Sequence, residues 1–189
     1  IFKFMLLNIF LITNLSFSVT TEDIYDNSWA LIIGIDKYKS VKKLNYAVKD
    51  AQTMQDILLN TFAFPSENIT LLIDEKANKQ SILQSFSNIT KNANENDRVV
   101  IFFAGHGETM DLPEGGEMGY LMPVDGDRND LYLSSIGMDE LKKISLMSKA
   151  KHVLYLVDAC YGGIAAIGSR GLEPKTTPNY IEKITKDKS

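Results

Sequence analysis

Four compact apolar runs, separated by segments of helical spacing, restrict the fold of this chain more than any other feature. The runs are WALIIGI (29–35), ITLLI (69–73), VVIFFA (99–104) and KHVLYLV (151–157). Short continuous runs of branched and aromatic residues are typical of strands that are buried on both faces of a parallel sheet. The sequence therefore predicts a central sheet built from these four strands.

The segments between the runs repeat their apolar residues every three or four positions, as amphipathic helices do. They extend from Leu44 to Phe62, from about Asn78 to Ala93 and from about Ser135 to Met147. Strands that alternate with helices imply right-handed crossovers, which place helices on both faces of the sheet. We therefore predict an α/β fold, a three-layer sandwich with a mostly parallel central sheet.

The third run is predicted to stop at Gly105-His106-Gly107, and residues 108–133 are predicted to be a long loop. This stretch is rich in glycine and acids, and its one apolar piece, GYLMPVD, could form an edge hairpin or a bulge. Loops of this length in a compact domain usually carry function.

Composition limits the classes of function. At 189 residues, 44% of them hydrophobic, the chain suits one globular domain. Its net charge of -4, with no basic stripe, argues against a nucleic-acid partner. The single cysteine excludes an internal disulfide, so the thiol is free to react.

Residues 1–18 predict a secretory signal peptide, because a cation at Lys3 precedes an apolar run that ends in small residues. The alternatives are a buried terminal strand or helix, or a membrane anchor, although the run is short for a stable span. Glycosylation sequons at Asn68 and Asn88 agree with a secretory route, but such triplets also occur by chance. We expect the secretory pathway, with a secreted or lysosome-like destination, and otherwise the cytoplasm.

His106 and Cys160 follow two different buried runs, and each has glycine close by. The carboxyl ends of parallel strands share one edge of a sheet, so we expect the imidazole and the thiol to meet there. The imidazole could remove the thiol proton, and the backbone amides of Cys160 and Gly107 could bind the oxyanion formed at an attacked carbonyl. The alternative is that the cysteine is a small buried hydrophobe and the histidine a surface or capping residue.

Two other kinds of site have less support. A zinc site lacks ligands, because the chain has one cysteine and two histidines, and His152 stands at the start of its strand. A nucleotide site lacks its phosphate loop, because GIDKYKS after the first run has a single glycine. The residues alone therefore predict no metal and no cofactor.

Two motifs, FFAGHG (102–107) and LVDACYGG (156–163), resemble the histidine and cysteine motifs of the caspase and metacaspase clan of cysteine peptidases. WALIIGIDKY and LNYAVKDA extend the resemblance to roughly residues 29–163. The resemblance implies the caspase-haemoglobinase fold, a catalytic His106 and a nucleophilic Cys160. It also implies that the amides of Gly107 and Cys160 hold the oxyanion.

In metacaspase-like members, an acid two residues before the cysteine and an acid of the first helix line a pocket for lysine or arginine. The matching residues here are Asp158 and Asp50, and two carboxylates in a cleft would attract a cationic side chain. The alternative for Asp50 is a charge or hydrogen bond on a helix face. The resemblance also allows calcium, but only Asp139-Glu140 partly match such a position and no full ligand set is evident.

The family's sheet is completed by further strands after the cysteine strand, and the short tail after Gly163 leads us to expect that these strands are missing. A small-subunit-like segment could then come from a longer chain. The predicted organisation is a signal peptide at 1–18, a lead-in at 19–28, a caspase-like catalytic domain at 29–165 and a polar linker or truncated tail at 166–189.

The resemblance and the residues together predict a cysteine endopeptidase that cleaves peptide or protein substrates after Arg or Lys with a Cys160 and His106 dyad. No nucleic acid and no stable membrane span are expected. The alternative is a catalytically incompetent interaction or regulatory module on the same fold, because fold alone does not fix function.

Overall fold

A computed structural model describes residues 24–161 of the chain, the last two of them by backbone alone. The strands in this range form one six-stranded sheet. They are β1 (Ser28–Gly34), β2 (Ile69–Ile73), β3 (Arg98–Asp111), β4 (Glu117–Leu121), β5 (Ile136–Gly137) and β6 (His152–Tyr161).

Four of these strands form the parallel part of the sheet. β2 pairs with β1, β1 with β3, and β3 with β6, and all three pairings are parallel. They correspond to the four apolar runs, so the predicted parallel sheet is confirmed. The ends of β1 and β2 differ from the predicted ends by no more than one residue.

Helices cover both faces of this sheet, as predicted. They are α1 (Ala47–Asn60), α2 (Lys79–Asn92), α3 (Leu131–Ser134) and α4 (Met138–Met147). Alternate residues of β1 and β3 enter two separate apolar clusters, one with α1 and the other with α2 and α4. The arrangement is therefore a three-layer α/β sandwich whose central strands are buried on both faces.

The first helix begins three residues later than its apolar spacing predicts, because a distant side chain caps it. The carboxylate of Asp36, just after β1, accepts the N–H of Ala47 at 2.9 Å and that of Val48 at 3.4 Å. Tyr46, the residue before the helix, provides no capping side chain. The start of α1 is thus fixed from the end of β1.

The prediction that the third strand stops at Gly105-His106-Gly107 is wrong. β3 continues through these residues to Asp111, because β4 returns antiparallel and pairs with residues 107–111. The turn between the two strands contains Gly115 and Gly116, which have φ angles of 91° and 92°. Glycine adopts this left-handed conformation at no steric cost, so the hairpin closes there.

Residues 108–121 of the long loop predicted at 108–133 therefore form a hairpin, close to the alternative that the apolar GYLMPVD piece offered, although β5 and not β4 is the edge strand there. Ser135 to Gly137, predicted as the start of a helix, is extended instead: β5 pairs with the end of β4, and α4 begins only at Met138. The fourth strand is also longer than KHVLYLV, since β6 stays paired with β3 as far as Tyr161.

The signal peptide expected at 1–18 lies outside the described residues, and so does the tail at 166–189 with the strands expected to be missing after it. The secretory route stays a prediction. In the range 24–161, none of the helices has the length and apolar character needed to cross a bilayer.

Candidate active site

The register of β3 and β6 makes His106 and Cys160 direct cross-strand partners. Adjacent strands are about 4.8 Å apart, and register partners in a parallel ladder lie on the same face of the sheet. His106 follows Phe102 and Ala104 at alternate positions of β3, and these two residues belong to the cluster under α1. The backbone therefore brings the two predicted catalytic positions together on the α1 face; their roles stay predictions.

A main-chain carbonyl selects the tautomer of the His106 ring. Nε2 lies 2.8 Å from the carbonyl oxygen of Lys42, which belongs to the connection between β1 and α1. A carbonyl oxygen only accepts hydrogen bonds, so Nε2 must carry a proton. In the neutral ring the basic nitrogen is then Nδ1, which is the atom left to take a proton from a neighbour.

Tyr38 packs against the same histidine. The two ring centroids are 4.8 Å apart at an angle of 54°, and the Tyr38 hydroxyl accepts the backbone N–H of His106 at 2.7 Å. The hydroxyl in turn donates to the carbonyl of Met122 at 3.3 Å. Burial raises the pKa of Tyr38 far above its usual value, and the hydrogen bond from His106 lowers it by less, so the phenol keeps its proton.

The two glycines that flank His106 have different surroundings. A Cβ atom on Gly105 would collide with the Tyr38 hydroxyl and lie within about 3.0 Å of the Phe103 ring, so glycine makes room for the tyrosine. Gly107 is buried and pairs with Leu121 of β4 on one side and with β6 on the other. Its role in binding an oxyanion stays a prediction.

Asp74 anchors the start of the connection that carries Tyr38 and Lys42. The Asp74 carboxylate accepts the N–H groups of Asp36 and Lys37, each at 2.9 Å, and pairs with the Lys37 ammonium at 3.3 Å. Burial raises the pKa of Asp74, but these donors outweigh burial and hold it below its usual value. Asp74 also has a positive φ of 44°, a conformation that aspartate tolerates better than most residues.

A cleft of about 360 Å³ opens beside His106, between the connection at residues 42–46, the first turn of α1 and the ends of β3 and β6. Asp50 and Asp158, the predicted substrate-binding acids, both line it and both are exposed. Asp158 is the register partner of Ala104. The structure thus brings both acids and the histidine to one cleft.

Two cations line the same cleft. They are Lys42 and Lys43, both exposed, and the sequence reasoning did not single them out. The two lysines balance the formal charge of the two aspartates. Any preference for a charged substrate must therefore come from the position of the carboxylates within the cleft rather than from its total charge.

The acids that partly match a family calcium position, Asp139 and Glu140, both have partners within the chain. Asp139 binds the Lys143 ammonium at 2.9 Å, and this bond lowers the pKa of the Asp139 carboxyl. Glu140 accepts the N–H of Gly137 at 3.1 Å. Within the described range no three His, Cys, Asp or Glu side chains cluster as metal ligands.

Residues 27–188 match the family described as Caspase domain. The chain belongs to the caspase domain family. The resemblance carried by the histidine and cysteine motifs is therefore confirmed, and with it the caspase-like α/β fold.

This caspase domain is also similar to curated fungal metacaspases. It is 30% identical to Metacaspase-1 of Eremothecium gossypii over 151 residues, which cover 74% of this chain and 32% of that protein. It is 29% identical to Metacaspase-1A of Aspergillus oryzae over 148 residues, which cover 72% of this chain and 34% of that protein. The chain spans about a third of the length of these relatives.

One solved structure, a protein of Geobacter sulfurreducens, aligns with this caspase domain at a TM-score of 0.63 and 19% identity. The alignment covers 76% of this chain and 54% of that one. At this identity the likeness concerns the fold alone.

Sequence reasoning missed two contacts of the histidine. Tyr38 stands in WALIIGIDKY, a segment that carries the family resemblance, so a buried aromatic partner could have been sought there. Lys42 contacts the histidine through its main-chain carbonyl, which every residue has, so the sequence could not have predicted this contact.

Proposed function

We propose that this caspase domain is a cysteine endopeptidase in which Cys160 is the nucleophile and His106 the general base. The observation that carries the proposal is the register pairing of these two residues on adjacent parallel strands. Membership of the caspase domain family and similarity to metacaspases support a hydrolase that acts on peptide bonds.

The tautomer of His106 assigns the proton steps. Nδ1 takes the proton of the Cys160 thiol, and the sulfur adds to the substrate carbonyl carbon, whose oxygen becomes an oxyanion bound by the amides of Gly107 and Cys160. The C–N bond then breaks, and the imidazolium gives its proton to the leaving amine. Water, deprotonated by Nδ1, adds to the thioester, the C–S bond breaks, and the thiolate recovers the proton as the acid leaves.

The Lys42 carbonyl assists the charged stage of this cycle. When Nδ1 holds the thiol proton, the ring is cationic, and a carbonyl oxygen 2.8 Å from Nε2 stabilises that charge as well as holding the ring in place. The carbonyl thus orients the imidazole as the aspartate of a Ser-His-Asp triad does, but without a carboxylate.

Cleavage after Arg or Lys is proposed from the two acids in the cleft. Asp158 precedes Cys160 by two residues on the same face of β6, a separation of about 6.6 Å along a strand. A carboxylate at that distance from the nucleophile can pair with the side chain next to the cut bond. Asp50 faces the same cleft from the first turn of α1.

The test is hydrolysis by the full chain of a fluorogenic peptide with arginine before the cut bond. A peptide with citrulline at that position has nearly the same shape without the charge, and an aspartyl peptide has the opposite charge. We expect turnover of the arginyl peptide, much slower turnover of the citrulline peptide and none of the aspartyl peptide. Equal rates on the first two would contradict the basic specificity but not the peptidase assignment.

The matched variant is Cys160→Ala, which should abolish turnover while leaving the thermal unfolding midpoint nearly unchanged, because a thiol-to-methyl change removes little volume. An arginyl peptide with a thiol-reactive end group should add its mass to the chain. Because the chain has one cysteine, the variant identifies the labelled atom without ambiguity. A folded wild-type chain that neither cleaves nor labels would favour a non-catalytic interaction module.

A further inference from the structure

Around His106, none of the described strands pairs with β3 on one of its sides. β1 pairs with β3 only as far as Gly34 opposite Ala104, and β4 begins to pair at Gly107. Between these points, the amide of His106 lies in a gap between two strands. Its N–H is partly buried, and an unpaired N–H in such a place would be costly.

The Tyr38 hydroxyl fills this gap. It accepts the His106 N–H at 2.7 Å and donates to Met122 O at 3.3 Å, while the Met122 N–H donates to His106 O at 3.0 Å. One side-chain oxygen therefore links β3 to the segment that follows β4, in the place of a missing ladder bond. With 6% of its surface exposed, Tyr38 is well shielded from competing water.

The Tyr38 side chain also contacts the imidazole ring of His106. Its ring lies against the imidazole of His106, whose far nitrogen is bound by the Lys42 carbonyl four residues later in the same connection. This connection is anchored by Asp74 and by the cap that Asp36 forms on α1. The main chain and the ring of His106 are thus both held by one anchored segment.

We propose that Tyr38 is a positioning residue for His106: its hydroxyl fixes the main chain at the histidine and its ring fixes the plane of the imidazole, so that Nδ1 faces the position of Cys160. The inference rests on the proposed function, since it assigns His106 the part of the base. Tyr38 itself acts only through the histidine.

The test is Tyr38→Phe in the full chain, which keeps the ring and removes the hydroxyl. We expect kcat on the arginyl peptide to fall roughly ten- to a hundredfold, because small displacements of a catalytic group cost rates of this order. KM should change by less than about twofold, because Tyr38 is not among the described residues that line the cleft.

Tyr155→Phe is the matched control. Tyr155 is 4% exposed, its hydroxyl donates to the carbonyl of Leu141 at 3.0 Å and accepts from Ser145, and it packs on the opposite side of the sheet from the cleft. Both substitutions remove one buried hydroxyl that binds main chain. A loss of kcat that merely follows a loss of stability would therefore appear in both variants.

A second readout does not depend on activity. The chain has only two histidines, His106 and His152, so ring ¹⁵N resonances are assigned with one His152→Gln sample. In the wild type we expect His106 to show one tautomer with the proton on Nε2. In Tyr38→Phe its ring nitrogens should shift toward values averaged between tautomers, and in Tyr155→Phe they should stay in place.

A double-mutant cycle tests the contact from the other side. Gly105→Ala places a Cβ against the Tyr38 hydroxyl and should lower kcat in the wild-type background. In the Tyr38→Phe background the same change should lower kcat by a smaller factor, because the hydroxyl is already gone. Equal factors in both backgrounds would overturn the proposed route through Tyr38.

The remaining outcomes are also decisive. Unchanged kcat and unchanged His106 resonances in Tyr38→Phe overturn the inference, and so does an equal loss of kcat in Tyr38→Phe and Tyr155→Phe. If the wild type cleaves no peptide, the proposed function fails, and the His106 resonances alone decide: a shift confined to Tyr38→Phe supports the inference, and no shift overturns it.

Discussion

At the scale of single residues, two neutral groups determine the geometry around His106. A carbonyl oxygen at Lys42 determines which ring nitrogen carries the proton, and a buried phenol at Tyr38 holds the main chain. Neither group changes its protonation at the near-neutral pH values at which histidine side chains usually titrate. Both contacts can therefore persist when the ring gains or loses a proton. In the proposed mechanism, proton transfer is therefore confined to the imidazole and the thiol.

Asp74 gives a pH-dependent prediction at this scale. Its pKa is lowered in the folded chain, so its ionised form stabilises the fold above its unfolded-state pKa of about 3.9 and this stabilisation is lost as the pH falls through the lower folded value. Asp74→Asn keeps an acceptor oxygen and the tolerance of positive φ but removes the charge. We expect the wild type to be the more stable protein at pH 7.

The measurement is urea unfolding of both proteins at pH 7 and at several values below about pH 4. The excess in free energy of unfolding of the wild type should shrink toward the acid end, because the protonated carboxyl resembles the amide. The comparison with the variant cancels the other carboxylates, which titrate in both proteins. An excess that stays constant or grows toward low pH would show that the charge of Asp74 is not what stabilises the connection.

At the scale of elements, the start of α1 is determined by a residue that is not adjacent to it. We expect Asp36→Ala to lower the free energy of unfolding by about 1 kcal/mol, within the range of about 0.5–2 kcal/mol for lost caps, because two helical N–H groups lose their acceptor. Asp36→Asn keeps one acceptor oxygen and should cost less. Chemical denaturation measures both, and equal losses in the two variants would contradict the capping role.

The same scale shows what the sequence can and cannot predict. The four parallel strands were predictable because buried strands read as continuous apolar runs, and α1 and α2 because their apolar faces repeat. The extension of β3 beyond Gly107 was not, because residues 108–111 are mostly polar and become a strand only by pairing with β4. The predicted start of α1 was wrong because its capping residue, Asp36, lies eleven residues before Ala47 in the chain.

For the site, the pattern of apolar run followed by a reactive residue was enough to predict that His106 and Cys160 lie together, because parallel strands share their carboxyl edge. It was not enough to predict Lys42 or Lys43 in the cleft. The residues that connect a strand to a helix show no repeat of apolar positions. Their place in the cleft is therefore known only from the folded structure.

At the scale of the whole molecule, a net charge of -4 gives a weak general attraction for cationic peptides that salt screens over about 8 Å at physiological ionic strength. Asp50→Asn and Asp56→Asn separate this general effect from a local one. Both change the net charge equally and both alter exposed residues of α1, but only Asp50 lines the cleft.

We expect Asp50→Asn to lower kcat/KM for the arginyl peptide several-fold and to leave that for the citrulline peptide nearly unchanged. Asp56→Asn should change both by less than about twofold. Steady-state rates at low and physiological salt measure the two effects. If the two variants lose activity toward the arginyl peptide equally, the preference comes from overall charge and not from a pocket.

The ladder between β3 and β6 has a consequence for how the candidate site can be altered. Strand pairing permits only whole-residue steps of about 3.3 Å, and a step of one residue would carry the cysteine position to the opposite side of the sheet. The alignment of the His106 and Cys160 positions is therefore all-or-none. For the proposed peptidase, changes in the anchored segment that holds the imidazole offer a way to adjust rate or pH response by small steps.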